Sequence, residues 1–150
     1  MSAEKWLLST RGGNPISVLT TELNSLTTTG AAISAAIDND ADRDMLADLE
    51  LLIDYGTGPT AGSVIEAYII RTVDGTNFED GSTTGPVLPQ SGYVGAFVLR
   101  NTTDTQRMII PGVPIPPRDF KIILVARTTG QTAQASGNTL VALFYGRQAV

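Results

Sequence analysis

The chain has no cysteine and no histidine, and only two lysines among its 150 residues. Without histidine, the commonest general acid/base and metal ligand near neutral pH is missing. Without cysteine there is no thiolate nucleophile, no disulfide and no thiolate metal site, and the redox compartment is left open. Ser-His-Asp and Cys-His arrangements are therefore excluded. No apolar run approaches the roughly 20 residues that cross a bilayer as a helix. The opening Met1-Ser2-Ala3-Glu4-Lys5-Trp6 puts an acid where a secretion signal carries basic residues, and no apolar stretch of signal type follows. The expectation is a chain made in a cytoplasm and not addressed to a membrane. Clustered basic residues are also lacking. The arginines are scattered singly in a chain of net charge -5, which argues against phosphate neutralisation and so against nucleic acid as a partner.

What remains is hydroxyl-rich and strand-forming. The charged fraction is 17% and the hydrophobic fraction 42%, in a length that suits one domain with a real core. Short segments rich in Val, Ile and Thr alternate with Gly, Pro and Asp-Gly turns. The strand candidates are residues 18–23, 31–37, 45–53, 63–73, 94–100, 106–110, 120–125 and 140–145. Residues 45–53 also satisfy helical spacing, but the apolar/acidic alternation from Ala47 to Leu51 favours a strand. Asp74-Gly75 closes the fourth candidate as a turn, and 81–92 reads as a Gly/Ser/Pro-rich surface loop. Pro111 to Pro117 carries too many prolines for a central strand and is expected along an edge. About eight strands at this spacing predict an all-β fold, an antiparallel β-sandwich of jelly-roll type. Residues 1–16 read as an extended N-terminal arm on a single sandwich domain of residues 17–150. In that arm Trp6, Leu7 and Arg11 are the expected interface residues, docking on the parent domain, a neighbouring subunit or a larger shell.

Three motifs invite a chemical reading, and each fails on context. Asp38 to Asp44 starts like a calcium loop, but Arg43 stands where glycine makes the sharp turn and Leu49 where glutamate binds twice. A solvated acidic turn is the expectation, with a weak cation site left open. Gly56-Thr57-Gly58-Pro59-Thr60-Ala61 matches the dinucleotide fingerprint, yet a β-branched run follows where a helix must open. Asn101-Thr102-Thr103 is a glycosylation sequon without a secretory signal. No pair of acids is singled out for hydrolysis. The expectation is no catalytic, cofactor-binding or metal site, and a structural or binding protein in place of an enzyme.

One resemblance runs through about residues 17–145. Leu23-Asn24-Ser25-Leu26, Ile37-Asp38-Asn39 and Tyr68 to Phe78 carry its first half. Tyr93 to Phe97, Val113 to Lys121 and Ala135 to Leu140 carry its second. In these turn and strand-edge patterns the chain resembles small virion structural proteins of tailed bacteriophages. The resemblance implies a β-sandwich or jelly-roll accessory protein, made in the host cytoplasm and placed on the virion. A capsid decoration (cement) protein on the capsid surface is the first expectation, with the major capsid protein as partner and self-association as a dimer or trimer. A neck or tail adaptor, or a fibre-associated component, is the alternative within that context. A module that binds host glycans is the alternative outside it.

Overall fold

The computed structural model describes residues 4–81, 89 and 91–149. Of the surface loop expected over 81–92, residues 82–88 and 90 lie outside the described residues. Nine strands are described: β1 (Glu4–Leu8), β2 (Ile16–Leu19), β3 (Ala31–Ile33), β4 (Leu46–Ile53), β5 (Val64–Arg71), β6 (Tyr93–Val98), β7 (Gln106–Pro114), β8 (Phe120–Arg127) and β9 (Thr139–Ala149). A single 3₁₀ turn, Thr21–Leu23, takes the end of the first expected strand. Residues 46–53 are a strand, as their alternation predicts; every second side chain, from Ala47 to Ile53, is buried.

The strands form two antiparallel sheets. One has the order β1-β9-β4-β7, with β2 also pairing β9, and the other β3-β8-β5-β6. Pairing is nested: β5 with β6, β4 with β7, β3 with β8, β2 with β9. A long hairpin rolled up on itself produces this order, so the fold is a jelly roll. Rolling puts the β3–β4, β5–β6 and β7–β8 loops at one end of the sandwich and the β2–β3, β4–β5, β6–β7 and β8–β9 loops at the other. Pro111 and Pro114 lie in β7, which pairs only with β4, so their missing N–H groups face no neighbouring strand.

Between the sheets lie Leu49, Leu51 and Ile53 of β4, Ile65 and Ile69 of β5, Ile122 and Leu124 of β8, and Leu140 and Phe144 of β9. Full burial of each contributes about 1.5–3 kcal/mol. A second apolar cluster sits on the far side of the β3-β8-β5-β6 sheet: Tyr68, Ile70, Ile123 and Val125, with Phe78 packed on them. The unbroken apolar runs of β5 and β8 are thus explained, since both faces of these strands are covered. Asp74 shapes the turn that brings Phe78 back. Its carboxylate accepts from the N–H groups of Thr76 and Asn77 at 2.8 and 2.7 Å, from the Asn77 amide at 2.7 Å and from the Thr72 hydroxyl at 3.0 Å. These donors, the Asn77 N–H foremost, hold its pKa well below the usual carboxylate range. Gly92 leads into β6 with φ 82°, and a Cβ there would run into the Ile69 carbonyl.

Tyr55, just past β4, is 1% exposed. Burial pushes its pKa up to about 12, against a hydrogen bond with Thr129 that pulls the other way. The folded protein keeps this proton where the unfolded chain, with an ordinary phenol near 10, has lost it. Stability contributed by the neutral phenol is complete below pH ~10 and is lost as pH rises toward ~12. Alkaline unfolding followed by circular dichroism should therefore show a steeper loss over that window for the parent protein than for Tyr55→Phe.

Candidate interaction surface

β9 outlasts its neighbour β4. Its last partner there is Leu46, opposite Tyr145, whereas β1 pairs with it from Tyr145 to Ala149. The end of β9 and β1 therefore form a two-stranded ribbon that runs past the sandwich, at the end that carries the β3–β4 loop. The expected arm is this strand, paired on the same chain. Trp6 and Leu8 lie opposite Arg147 and Tyr145 and share their face. The Trp6 ring meets Tyr145 edge-on at 5.5 Å, and the Arg147 guanidinium lies 4.9 Å from it. Leu7, opposite Gly146, points the other way. Trp6, Leu7 and Leu8 are 57%, 44% and 60% exposed. Three large apolar side chains in a row on an outer strand are the kind of surface that soluble proteins normally blunt with charge.

An isolated two-stranded ribbon is marginal in water, so its root matters. Asn14 fills the gap between β1 and β2. Its side-chain amide donates to the Phe144 carbonyl at 3.0 Å and accepts from the Phe144 N–H at 2.9 Å, standing in for a residue of the missing strand. Arg11 turns inward. Its guanidinium donates to Asp44 at 3.1 Å and to Asn39 Oδ1 at 3.1 Å, lies 3.6 Å from Asp42, and stacks 4.3 Å from the centre of the Phe144 ring. Asn39 is fully buried and donates as well to the carbonyls of Asp44 and Pro116 at 3.0 and 2.7 Å.

The reading of 38–44 as a solvated acidic turn holds for Asp38 and Asp40 to Arg43, which are exposed, and is corrected at Asn39 and Asp44. Asp44 and Asn39 are buried, and a guanidinium occupies the position that a bound cation would take among the carboxylates. A buried carboxylate needs a countercharge, and the chain supplies one from 33 residues upstream. Of the three residues expected to make external contacts, Trp6 and Leu7 are presented to solvent and Arg11 is used inside.

The apolar surface continues from the ribbon across the outer face of the β1-β9-β4-β7 sheet, through half-buried Leu46, Leu143, Val141 and Leu52 to exposed Ile109. Its charges are satisfied within the face. Glu50 pairs with Arg107 at 3.2 Å and Glu4 with Arg147 at 3.5 Å. Asp48 accepts from the Gly112 N–H at 2.8 Å and the Tyr145 hydroxyl at 2.9 Å. Burial and the bond to Asp48 both raise the Tyr145 pKa. Such exposed pairs add little to stability, but they lower the cost of covering the face.

The opposite sheet carries a polar cluster on its outer face. Glu66 accepts from Arg127 Nε and from the Tyr68 hydroxyl, both at 2.7 Å, and Tyr68 stacks edge-on against exposed Tyr93 at 5.5 Å. Burial raises the Glu66 pKa, but the Tyr68 and Arg127 contacts outweigh it and the net shift is downward.

The remaining motifs lie in loops. Gly56–Ala61 joins β4 to β5 with no helix after it, and Thr60 donates its N–H to the Thr129 carbonyl at 2.7 Å. The sequon at Asn101 falls in the β6–β7 turn. Among the described residues, no group of three or more His, Cys, Asp or Glu side chains is placed to hold a metal ion. Nor is any helix there long and apolar enough to cross a membrane. Sequence reasoning missed Asn14 and Leu8, and took Asn39 and Asp44 only as members of an acidic turn. Leu8 had a local signal, as the third member of the Trp6-Leu7-Leu8 run.

No protein-family model matches the chain, and no curated protein matches it. Among solved structures, similar ones include the CBM36-1 domain of a multidomain xylanase from the hindgut metagenome of Trinervitermes trinervoides. It is 13% identical, with 99% of this chain and 100% of that one covered and a TM-score of 0.49. Infectious bursal disease virus Gt strain matches at 15% identity over 98% of this chain and 30% of that one, with a TM-score of 0.39. The N-terminal cellulose-binding domain of the Cellulomonas fimi β-1,4-glucanase C matches at 9% identity over 97% and 88%, with a TM-score of 0.34.

Proposed function

We propose that the chain is a bacteriophage virion structural protein, a capsid decoration subunit that grips the outer shell with its ribbon. The observation that supports this reading is the row Trp6, Leu7 and Leu8, exposed on a strand whose root is fixed by Arg11 and Asn14. A preformed apolar strand binds without the ordering cost of a floppy arm. Self-association would present several ribbons together, so that modest individual contacts add through effective concentration. The partner in this reading is the major capsid protein, and the role is mechanical, with no catalysis. Its test is the number of copies on purified particles of the virus that encodes the chain, counted by quantitative mass spectrometry. A symmetric shell implies on the order of hundreds. A dozen or fewer would move the protein to the neck or tail, and none would end the reading.

A second reading is favoured by Tyr93, 57% exposed beside the Glu66–Arg127 pair. An open aromatic ring next to fixed polar groups suits a sugar ring, and the chain would then be a glycan-binding module. Micromolar binding on a glycan array, lost in Tyr93→Ala, would establish it over the decoration role.

A further inference from the structure

At the ribbon end of the sandwich, the β3–β4, β5–β6 and β7–β8 loops enclose an open hollow of about 850 Å³. Arg43, Arg71 and Arg118 line it, with Asp40 the one acid among the described residues; Val73, Pro116 and Pro117 give it an apolar wall. Three arginines lining one hollow in a chain of net charge -5 are out of keeping with the rest of the surface. Two of them are held in place. Arg118 donates to the Val73 carbonyl at 2.9 Å and stands 3.9 Å from Asp40, and Arg43 sits at φ 51° with its Nε donating to the Asp40 carbonyl at 3.4 Å. Among the described residues, no salt bridge engages Arg43 or Arg71.

We infer that this hollow is a binding site for an acidic peptide segment of a protein partner, whose Asp or Glu carboxylates pair with Arg43, Arg71 and Arg118. The planar, two-pronged guanidinium matches a carboxylate in shape, and several around one cavity select a run of them. Val73, which is 91% exposed, and the two prolines suit the aliphatic parts of such a segment. A polyphosphate backbone fits less well, because Asp40 stands in the rim and the molecule as a whole repels it. Among the described residues, no aromatic ring lines the hollow to stack on a sugar or a base.

Among the described residues the hollow takes in none of Trp6, Leu7 and Leu8, but its Arg43 also borders Leu7, Leu8 and Arg147 of the ribbon. Arg71, away from that border, is the position that tests the hollow alone. Isothermal titration calorimetry of the full chain with an acetylated, amidated hexaglutamate peptide tests it, with hexaglutamine and a thymidine hexanucleotide as comparisons. Hexaglutamate should bind, more weakly as salt is raised, and hexaglutamine should not. Arg71→Glu and, separately, Arg43→Glu should each weaken binding by about tenfold or more. Both residues are exposed, so the folded signal in circular dichroism should persist. No binding of hexaglutamate, equal binding of hexaglutamine, tighter binding of the nucleotide, or unchanged binding by both variants would overturn the assignment. Failure here would leave shell attachment through Trp6 and Leu8 untouched, and loss of that attachment would leave peptide binding intact.

Discussion

Replacing Arg11 with alanine is expected to destabilise the protein by about 3–5 kcal/mol, the cost of leaving a buried ion without its partner. On a chain of this size that lowers Tm by on the order of 10 °C. The side chains of Arg11 and Asp44 are 9% and 5% exposed, so water cannot replace what is lost. Asn39 Oδ1 and the Phe144 ring lose a donor and a stacked cation at the same time. Arg11→Lys should recover only part of this, since an ammonium cannot reach Asp44 and Asn39 with the same two-pronged geometry. The double variant Arg11→Leu with Asp44→Leu should be less damaged than either single change, because no orphan charge remains. Thermal melts of the parent, Arg11→Leu, Asp44→Leu and the double variant, with Arg11→Ala and Arg11→Lys beside them, check this. Additive losses would show that the pair is not coupled.

Changing Trp6 and Leu8 together to serine should do the opposite, leaving the fold and removing the proposed shell attachment. Both side chains are more than half exposed, so each change alone should alter stability by about 0.5 kcal/mol or less. At a protein interface, a buried anchor of this type is worth about 2 kcal/mol or more. The pair would then weaken shell binding on the order of a thousandfold. Co-sedimentation of the purified variant with particles lacking the protein measures it. Trp6, the one tryptophan in the chain, also reports directly, because its emission should move to shorter wavelength when the ribbon is covered. An unchanged spectrum on binding would place the contact elsewhere.

Much of the architecture was legible because it rests on local patterns. The apolar/acidic alternation over Ala47 to Leu51 and the β-branched run of β5 are strands in the structure, and Asp74-Gly75 is a turn. The proline segment lies on an edge because a residue without an N–H has few other places in a sheet. The unalternating runs Tyr68-Ile69-Ile70 and Ile122 to Val125 also carried information, since strands apolar on both sides must be covered on both sides.

What could not be read is what depends on distance along the chain. Nothing near Arg11 announces Asp44, and nothing near Asn14 announces the Phe144 backbone 130 residues later. A Gly-Gly-Asn-Pro stretch has the composition of a flexible linker. It becomes a fixed bend because one amide side chain substitutes for a strand residue. The convergence of Arg43, Arg71 and Arg118 is hidden for the same reason: rolling the hairpin, and not sequence spacing, brings three loops to one end.

Electron cryo-microscopy of the intact virus particle tests the proposed decoration role most directly, because it shows whether the jelly roll meets a shell and by which end. The account predicts many copies on the outer surface, each with β1 and the end of β9 pressed against capsid protein and Trp6 out of solvent. Copies whose ribbon points into solvent while another face touches the capsid would contradict it.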